Sequence, residues 1–194
     1  RDELAIRIAK AVRRLCREGL DGHVLVFLDG SRSIERTRRC CEAVARDEDL
    51  KLCSLYGRLS REQQDEALAP SRQRKVVLST NIAESSVTID GVVAVVDSGL
   101  AKTISYDRGL QRPRLRLAPI SQASAIQRAG RAGRTAPGRC IRLYSEQDFA
   151  RRPRFDAPEI ERIDLSSALL LLGCGGALRA DRQAELRWLT CPPP

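Results

Sequence analysis

The chain has 194 residues, 42% hydrophobic and 30% charged, which suits one globular domain, or one domain with part of another. Basic residues number 34 against 25 acidic ones, a net charge of +9, and only Lys10, Lys51, Lys75 and Lys102 are lysines. So arginine-rich a chain favours a polyanionic partner, because the planar guanidinium pairs with phosphate oxygens and stays charged. An aromatic content of 4% argues against a partner held mainly by stacking.

The seven cysteines form no C-x-x-C pair and His23 is the single histidine, so no zinc or other metal site is expected and the thiols read as reduced. No signal peptide is visible in these residues, and the longest apolar run, residues 168–172, is too short to span a bilayer. These features predict a soluble cytoplasmic protein without membrane contact. With no methionine and an ending in CPPP, the chain reads as a piece of a longer polypeptide.

In chain order, Leu4, Ile8, Val12 and Leu15 recur at helical spacing, Gly19 follows, and HVLVFL (23–28) reads as a buried strand. Ser31 is placed to cap a second helix, KLCSLY (51–56) is a short strand, and Ser60 with Gln63 spells a capping box. KVVLS (75–79) and VVAVV (92–96) lack polar alternation, as strands covered on both faces do, and RCIRLY (139–144) adds another. Residues 101–119 read as a protruding hairpin turning at Asp107, Arg108 and Gly109, with a basic arm of Arg112, Arg114 and Arg116. A proline-marked linker (151–165) leads to a helix, LSSALLLL, stopped by Gly173, and the domain boundary falls near residue 155. The fold class predicted is α/β, a parallel sheet with helices on both faces and ligand sites at the carboxyl ends of its strands.

Two motifs carry chemistry. STNIAESSVTIDG (79–91) opens at a strand's carboxyl end and is dense in short hydroxyls and backbone donors, which suits phosphate contacts; an ordinary polar loop with helix caps is the plainer alternative. QRAGRAGR (127–134) follows a helix that Ser121 can cap. Helical spacing would let Gln127, Arg131 and Arg134 converge on one target, and arginines so placed suit charge neutralisation in phosphoryl transfer. Gly130 and Gly133 oppose a helix interior, at about 1 kcal/mol each, and would admit a close neighbour. A solvated arginine face is the alternative.

Together VLVFLDG (24–30), LYGRLSREQQDEAL (55–68), STNIAESSVTIDG, VVDSGLAKTISYD (95–107) and QRAGRAGR stand in the order and spacing of the second RecA-like domain of superfamily 2 helicases. More narrowly the chain resembles the DEAH/RHA group over nearly its whole length. The resemblance implies a RecA-like domain over 1–155, then a linker and the start of a winged-helix-like segment over 156–194. It implies that Gln127 positions the attacking water, that Arg131 and Arg134 act as fingers on the γ-phosphate, and that Arg128 is structural. Ser86 would sense the nucleotide state and Asp90 would meet the ribose. Thr80, Asn81, Thr88, Gly30 and Ser31 would touch the backbone of single-stranded RNA or DNA, with Arg112 and Arg114 on the hairpin guiding the strand.

Leu68 stands where many members of the group place an aromatic residue against adenine, so base stacking at that position is weaker or supplied otherwise. No G-x-x-x-x-G-K-[ST] loop and no DEAH-type carboxylate motif occurs in these residues. ATP and Mg²⁺ would therefore be held mainly by the first RecA-like domain of the same polypeptide, and this chain alone should not hydrolyse ATP. The full protein is expected to be an ATP-dependent 3′ to 5′ helicase. A non-catalytic nucleic-acid-binding module, or a double-strand translocase of the same superfamily, is the alternative.

Overall fold

The computed structural model describes residues 2–85, 87–107, 109–110, 112–133 and 137–175. By internal contacts the chain divides into two compact units, Arg1–Lys102 with Leu117–Asp156, and Thr103–Arg116 with Ala157–Pro194.

The first unit is built on five parallel strands: β1 (His23–Phe27), β2 (Lys51–Leu55), β3 (Lys75–Ser79), β4 (Val92–Asp97) and β7 (Arg139–Arg142), in the order β2-β3-β1-β4-β7. Register is fixed by alternation. Val24 and Val26 point to one face of β1, Leu25 and Phe27 to the other, and Val76 and Leu78 oppose Val77 on β3 in the same way. On the first face α1 (Glu3–Arg17) and α2 (Ser31–Asp47) bury Ile8, Val12, Leu15, Ile34, Cys41 and Val44. On the second face lie Ala67 of α3 (Arg61–Leu68), Ala83 of α4 (Ile82–Ser85), Ile89 and Ala132. With apolar matter on both sides, β1 and β3 are buried throughout, as expected for a covered parallel sheet.

Caps set the helix starts. Ser60 and Gln63 make the expected reciprocal capping box on α3, and Ser121 accepts from the Ser124 amide at the start of α5 (Gln122–Ala129). Ser31 does not cap α2. Gly30 occupies that position, Ser31 is the first helical residue, and Ser33 Oγ donates to Asp29 one turn back. A further short helix, α6 (Glu146–Arg151), is capped by Ser145 and rests Phe149 on Ala101, Ile120 and Ala125.

The hairpin consists of β5 (Leu100–Asp107) and β6 (Arg112–Pro119). Within the second unit, the Asp107 carboxylate accepts from the amides of Gly109 and Leu110, forming the turn. The Tyr106 amide donates to Arg162 O at 2.7 Å, and Arg162 Nη1 returns a bond to Ile104 O at 3.0 Å. A 3₁₀ turn, Glu159–Glu161, precedes α7 (Ser166–Cys174), which runs through Gly173 and ends at Gly175 rather than stopping at Gly173. Of the expected linker and winged-helix-like start over 156–194, residues 176–194 lie outside the described residues, as does Arg108. No helix among the described residues is long and apolar enough to cross a membrane.

Candidate nucleotide and nucleic-acid site

Parallel register lines up the carboxyl ends of β2, β3, β1 and β4 along one edge, and the backbone ties their exits together. Thr80 N donates to Leu55 O at 3.2 Å, Leu28 N to Ser79 O at 2.8 Å and Ser98 N to Phe27 O at 3.3 Å. Thr80 and Asn81 therefore leave β3 beside the segment that carries Gly30 and Ser31 out of β1. Asn81 and Ser31 are exposed and Thr80 is half-buried. Gly30 is buried because the Lys102 ammonium lies against it: a Cβ there would meet Nζ at 2.8 Å, and Nζ also faces the Asp29 carboxylate at 3.8 Å.

The α5 helix carries QRAGRAGR only in part. It ends at Ala129, Gly130 closes it, and residues 131–133 continue as tight turns, with Arg131 N on Arg128 O and Ala132 N on Ala129 O. Helical spacing thus does not extend to Arg131, which corrects the expectation of convergence along one helix face. The glycines also read differently. They lie at a helix end, where the interior penalty does not apply, and nothing lies within 4 Å of a Cβ built at Gly133. The close approach falls instead at Gly138, where a Cβ would clash with the carbonyl of Ala132.

Gln127 is exposed on α5. Arg131 turns toward the 80–91 loop: Nη1 donates to Val87 O at 3.0 Å and Nη2 donates to Glu84 O. Arg131 and Thr88 line the same small cavity, of about 10 Å³, over Leu25 and Val92. Asp90 is exposed farther along the loop. Leu68, the last residue of α3, is half-buried and packs against the apolar cluster of Leu25, Phe27 and Leu55. Arg134 and Ser86 lie outside the described residues. Arg112 and Arg114 are exposed on β6, where Arg114 comes within 3.7 Å of Asp107.

Beneath the motif is a buried charge network, of which the sequence pointed only to Arg128 as structural and not to its partners. Arg128, fully buried, donates from Nε to Glu84 Oε2 at 3.0 Å and from Nη1 to Asp97 Oδ1 at 2.8 Å, with its guanidinium 4.7 Å over the Phe27 ring. Ser124 Oγ donates to Glu84 Oε1 at 2.6 Å, and Tyr144 OH to Asp97 Oδ2 at 2.9 Å. Burial first and the Asp97 carboxylate second push the Tyr144 phenol up, so the hydroxyl stays a donor. Gly99, at φ +72°, leaves room for the Tyr144 ring and Arg152, which a Cβ would meet at 2.5 and 2.6 Å. Asp97 had one available signal: a carboxylate directly follows the all-apolar VVAVV, where a buried acid demands a cation. Glu84 had none, being one polar residue among many in its loop.

Arg131 is the motif's described guanidinium outside the core, and no group of three His, Cys, Asp or Glu side chains among the described residues could hold a metal ion. Arginine is the residue type that suits a nucleotide phosphate at such an edge.

Residues 7–136 match the helicase conserved C-terminal domain family. The chain is 42% identical over 165 residues to the ATP-dependent RNA helicase HrpA homolog of Haemophilus influenzae, covering 84% of this chain and 12% of that protein. It is 42% identical over 170 residues to the ATP-dependent RNA helicase HrpA of Escherichia coli, covering 88% and 13%. The crystal structure of the Escherichia coli DEAH/RHA helicase HrpB superposes with a TM-score of 0.85 at 38% identity, over 97% of this chain and 24% of that one. The chain thus spans about an eighth of the two HrpA relatives and a quarter of HrpB. With its RecA-like sheet and hairpin, this chain belongs to the helicase conserved C-terminal domain family, within the DEAH/RHA group of superfamily 2 helicases.

Proposed function

We propose that this chain is the second motor domain of an ATP-dependent helicase acting on RNA or DNA. Arg131 and Arg134 would neutralise charge on the γ-phosphate of ATP carried by the first RecA-like domain, Gln127 would orient the attacking water, and Asp90 and Ser86 would meet the nucleotide's other parts. Thr80, Asn81, Thr88, Gly30 and Ser31 would hold the backbone of one strand, with Arg112 and Arg114 of the hairpin guiding it. Bound between the domains, ATP supplies the phosphoryl group whose transfer to water drives the motor. Mg²⁺ would be held by the first domain.

The observation that carries this reading is the seat of Arg131 on the carbonyls of Glu84 and Val87. It roots the finger on the loop that bears Thr88, so a movement of the strand-gripping loop displaces the finger. Contacts to phosphate and to strand are then mechanically one part, as a motor needs. In the full-length protein, Arg131→Ala should lower ATP turnover by about 10³-fold or more while ATP binding stays measurable. Near-normal turnover would overturn the assignment.

A further inference from the structure

On the sheet face opposite Ala132 and the Arg131 turn, α2 presents a groove that the reading above does not use. Ser31, Arg32, Glu35, Arg36, Arg39 and Tyr56 line about 440 Å³ of open space between the start of α2 and the end of the edge strand β2. The three arginines stand at i, i+4 and i+7, on one side of the helix, and all are exposed. Arg39 is paired with Glu35 at 3.2 Å, the one acid lining the groove, whereas Arg32 and Arg36 face no carboxylate among the described residues. Two uncompensated guanidinium groups point into a groove that begins at Ser31.

We propose that this groove is a binding surface for the sugar-phosphate backbone of single-stranded nucleic acid, extending the strand's path from the ends of β1 and β3 along α2. The proposal rests on the reading that Ser31, Thr80 and Asn81 grip such a strand, and it adds Arg32, Arg36 and Tyr56 to that contact. Continuity supports it. Thr80 N bonds Leu55 O, next to Tyr56, so the exits of β3 and β2 adjoin and the groove opens directly from the strand-end row. Spacing supports it as well. From Arg32 to Arg36 the helix rises about 6 Å, so the two unpaired cations follow one another along the groove, which suits a chain of repeating phosphates better than a compact anion. Tyr56, half-buried against the α2 face, offers an aromatic edge at the groove's mouth in a chain with few aromatics. Nucleotide binding at Arg131 is not involved, because Ala132 packs on the other side of the sheet from Ile34 and Val44.

The test uses the full-length protein and a fluorescein-labelled oligouridylate, with affinity measured by anisotropy across a salt series. Arg32→Gln/Arg36→Gln should weaken binding on the order of tenfold at low salt and make the salt dependence shallower by about 1.4 in log–log slope, two phosphate contacts at about 0.7 each. Arg17→Gln/Arg46→Gln removes the same charge from exposed positions outside the groove and should change neither. An equal loss in both variants would overturn the proposal by making the effect one of net charge. Unchanged affinity and slope in the groove variant would also overturn it, as would a loss confined to duplex nucleic acid or to an acidic protein ligand. If the parent protein fails to bind the oligonucleotide, the helicase reading itself falls. If the parent binds and the groove variant binds equally well, only the groove assignment falls.

Discussion

Arg128 Nη1 and Asp97 Oδ1 face each other at 2.8 Å with neither side chain exposed to solvent. The guanidinium also reaches Glu84, and so fastens the C-terminal end of β4, the 80–91 loop and α5 to one cation. A buried pair contributes little net stability compared with an apolar replacement, but loss of one partner leaves a naked charge. Arg128→Met should therefore cost about 3–5 kcal/mol, read as a lower urea midpoint of the chain. Arg128→Lys should recover only part of that loss, since an ammonium cannot present the fork that meets two carboxylates. A midpoint within error of the parent for Arg128→Met would refute the network's role.

Glu84 is the residue where that network meets the proposed motor. Its carboxylate accepts from Ser124 and Arg128, and its main-chain carbonyl accepts from Arg131. Glu84→Gln keeps the size and one carbonyl oxygen but lacks the charge that orders Arg128. In the full-length protein this variant should reduce the ratio of nucleic-acid-stimulated to basal ATP turnover several-fold, with ATP KM altered less than kcat. A purely structural role would lower stability and leave that ratio unchanged.

The sheet was legible because burial on both faces writes itself as unbroken β-branched runs: KVVLS became β3 residue for residue, and VVAVV gained only Asp97. The capping chemistry at Ser60 and Ser121 was equally local, and it held. Ser31 misled because Gly30, extended at φ 168°, takes the capping position one residue earlier. The site was less legible, since its organising contacts are long-range. Arg128 and Asp97 are 31 residues apart and Arg128 and Glu84 44 apart, separations at which no periodicity reports. The glycines of QRAGRAGR read as helix-interior defects although the helix ends at Ala129, and the close approach beside this turn, at Gly138, lies outside the motif.

Lys75 is a second buried cation, and its partners are not acids. Its ammonium donates to Ala67 O at 2.9 Å and Ala69 O at 2.6 Å, closing the C-terminal end of α3. Desolvation pulls its pKa down from the ordinary lysine value. Lys75→Met should leave those carbonyls without a donor and cost about 1–3 kcal/mol. Faster amide hydrogen exchange in 61–69 than in α1 would localise the loss, and an unaltered exchange pattern would count against the capping role.

His23 is the only histidine, the side-chain type whose ordinary pKa lies between pH 5 and 8. It is buried at the start of β1, and its Nδ1 accepts the Lys75 amide at 3.1 Å. Desolvation first, then the Lys75 ammonium, hold its pKa below the ordinary imidazole value. Protonation would remove the acceptor and place a second cation beside Lys75. The sign follows from linkage: the unfolded chain takes up this proton near pH 6.5 and the folded chain only at lower pH. Stability from this group is thus complete above about pH 6.5 and declines as pH falls from there through the depressed folded pKa. His23→Asn keeps an acceptor for the Lys75 amide without titrating in this range. Thermal melts from pH 7.5 to 5 should show a Tm that falls more steeply with acidification in the parent than in His23→Asn, and parallel curves would show that this imidazole binds its proton equally well in the folded and unfolded chain.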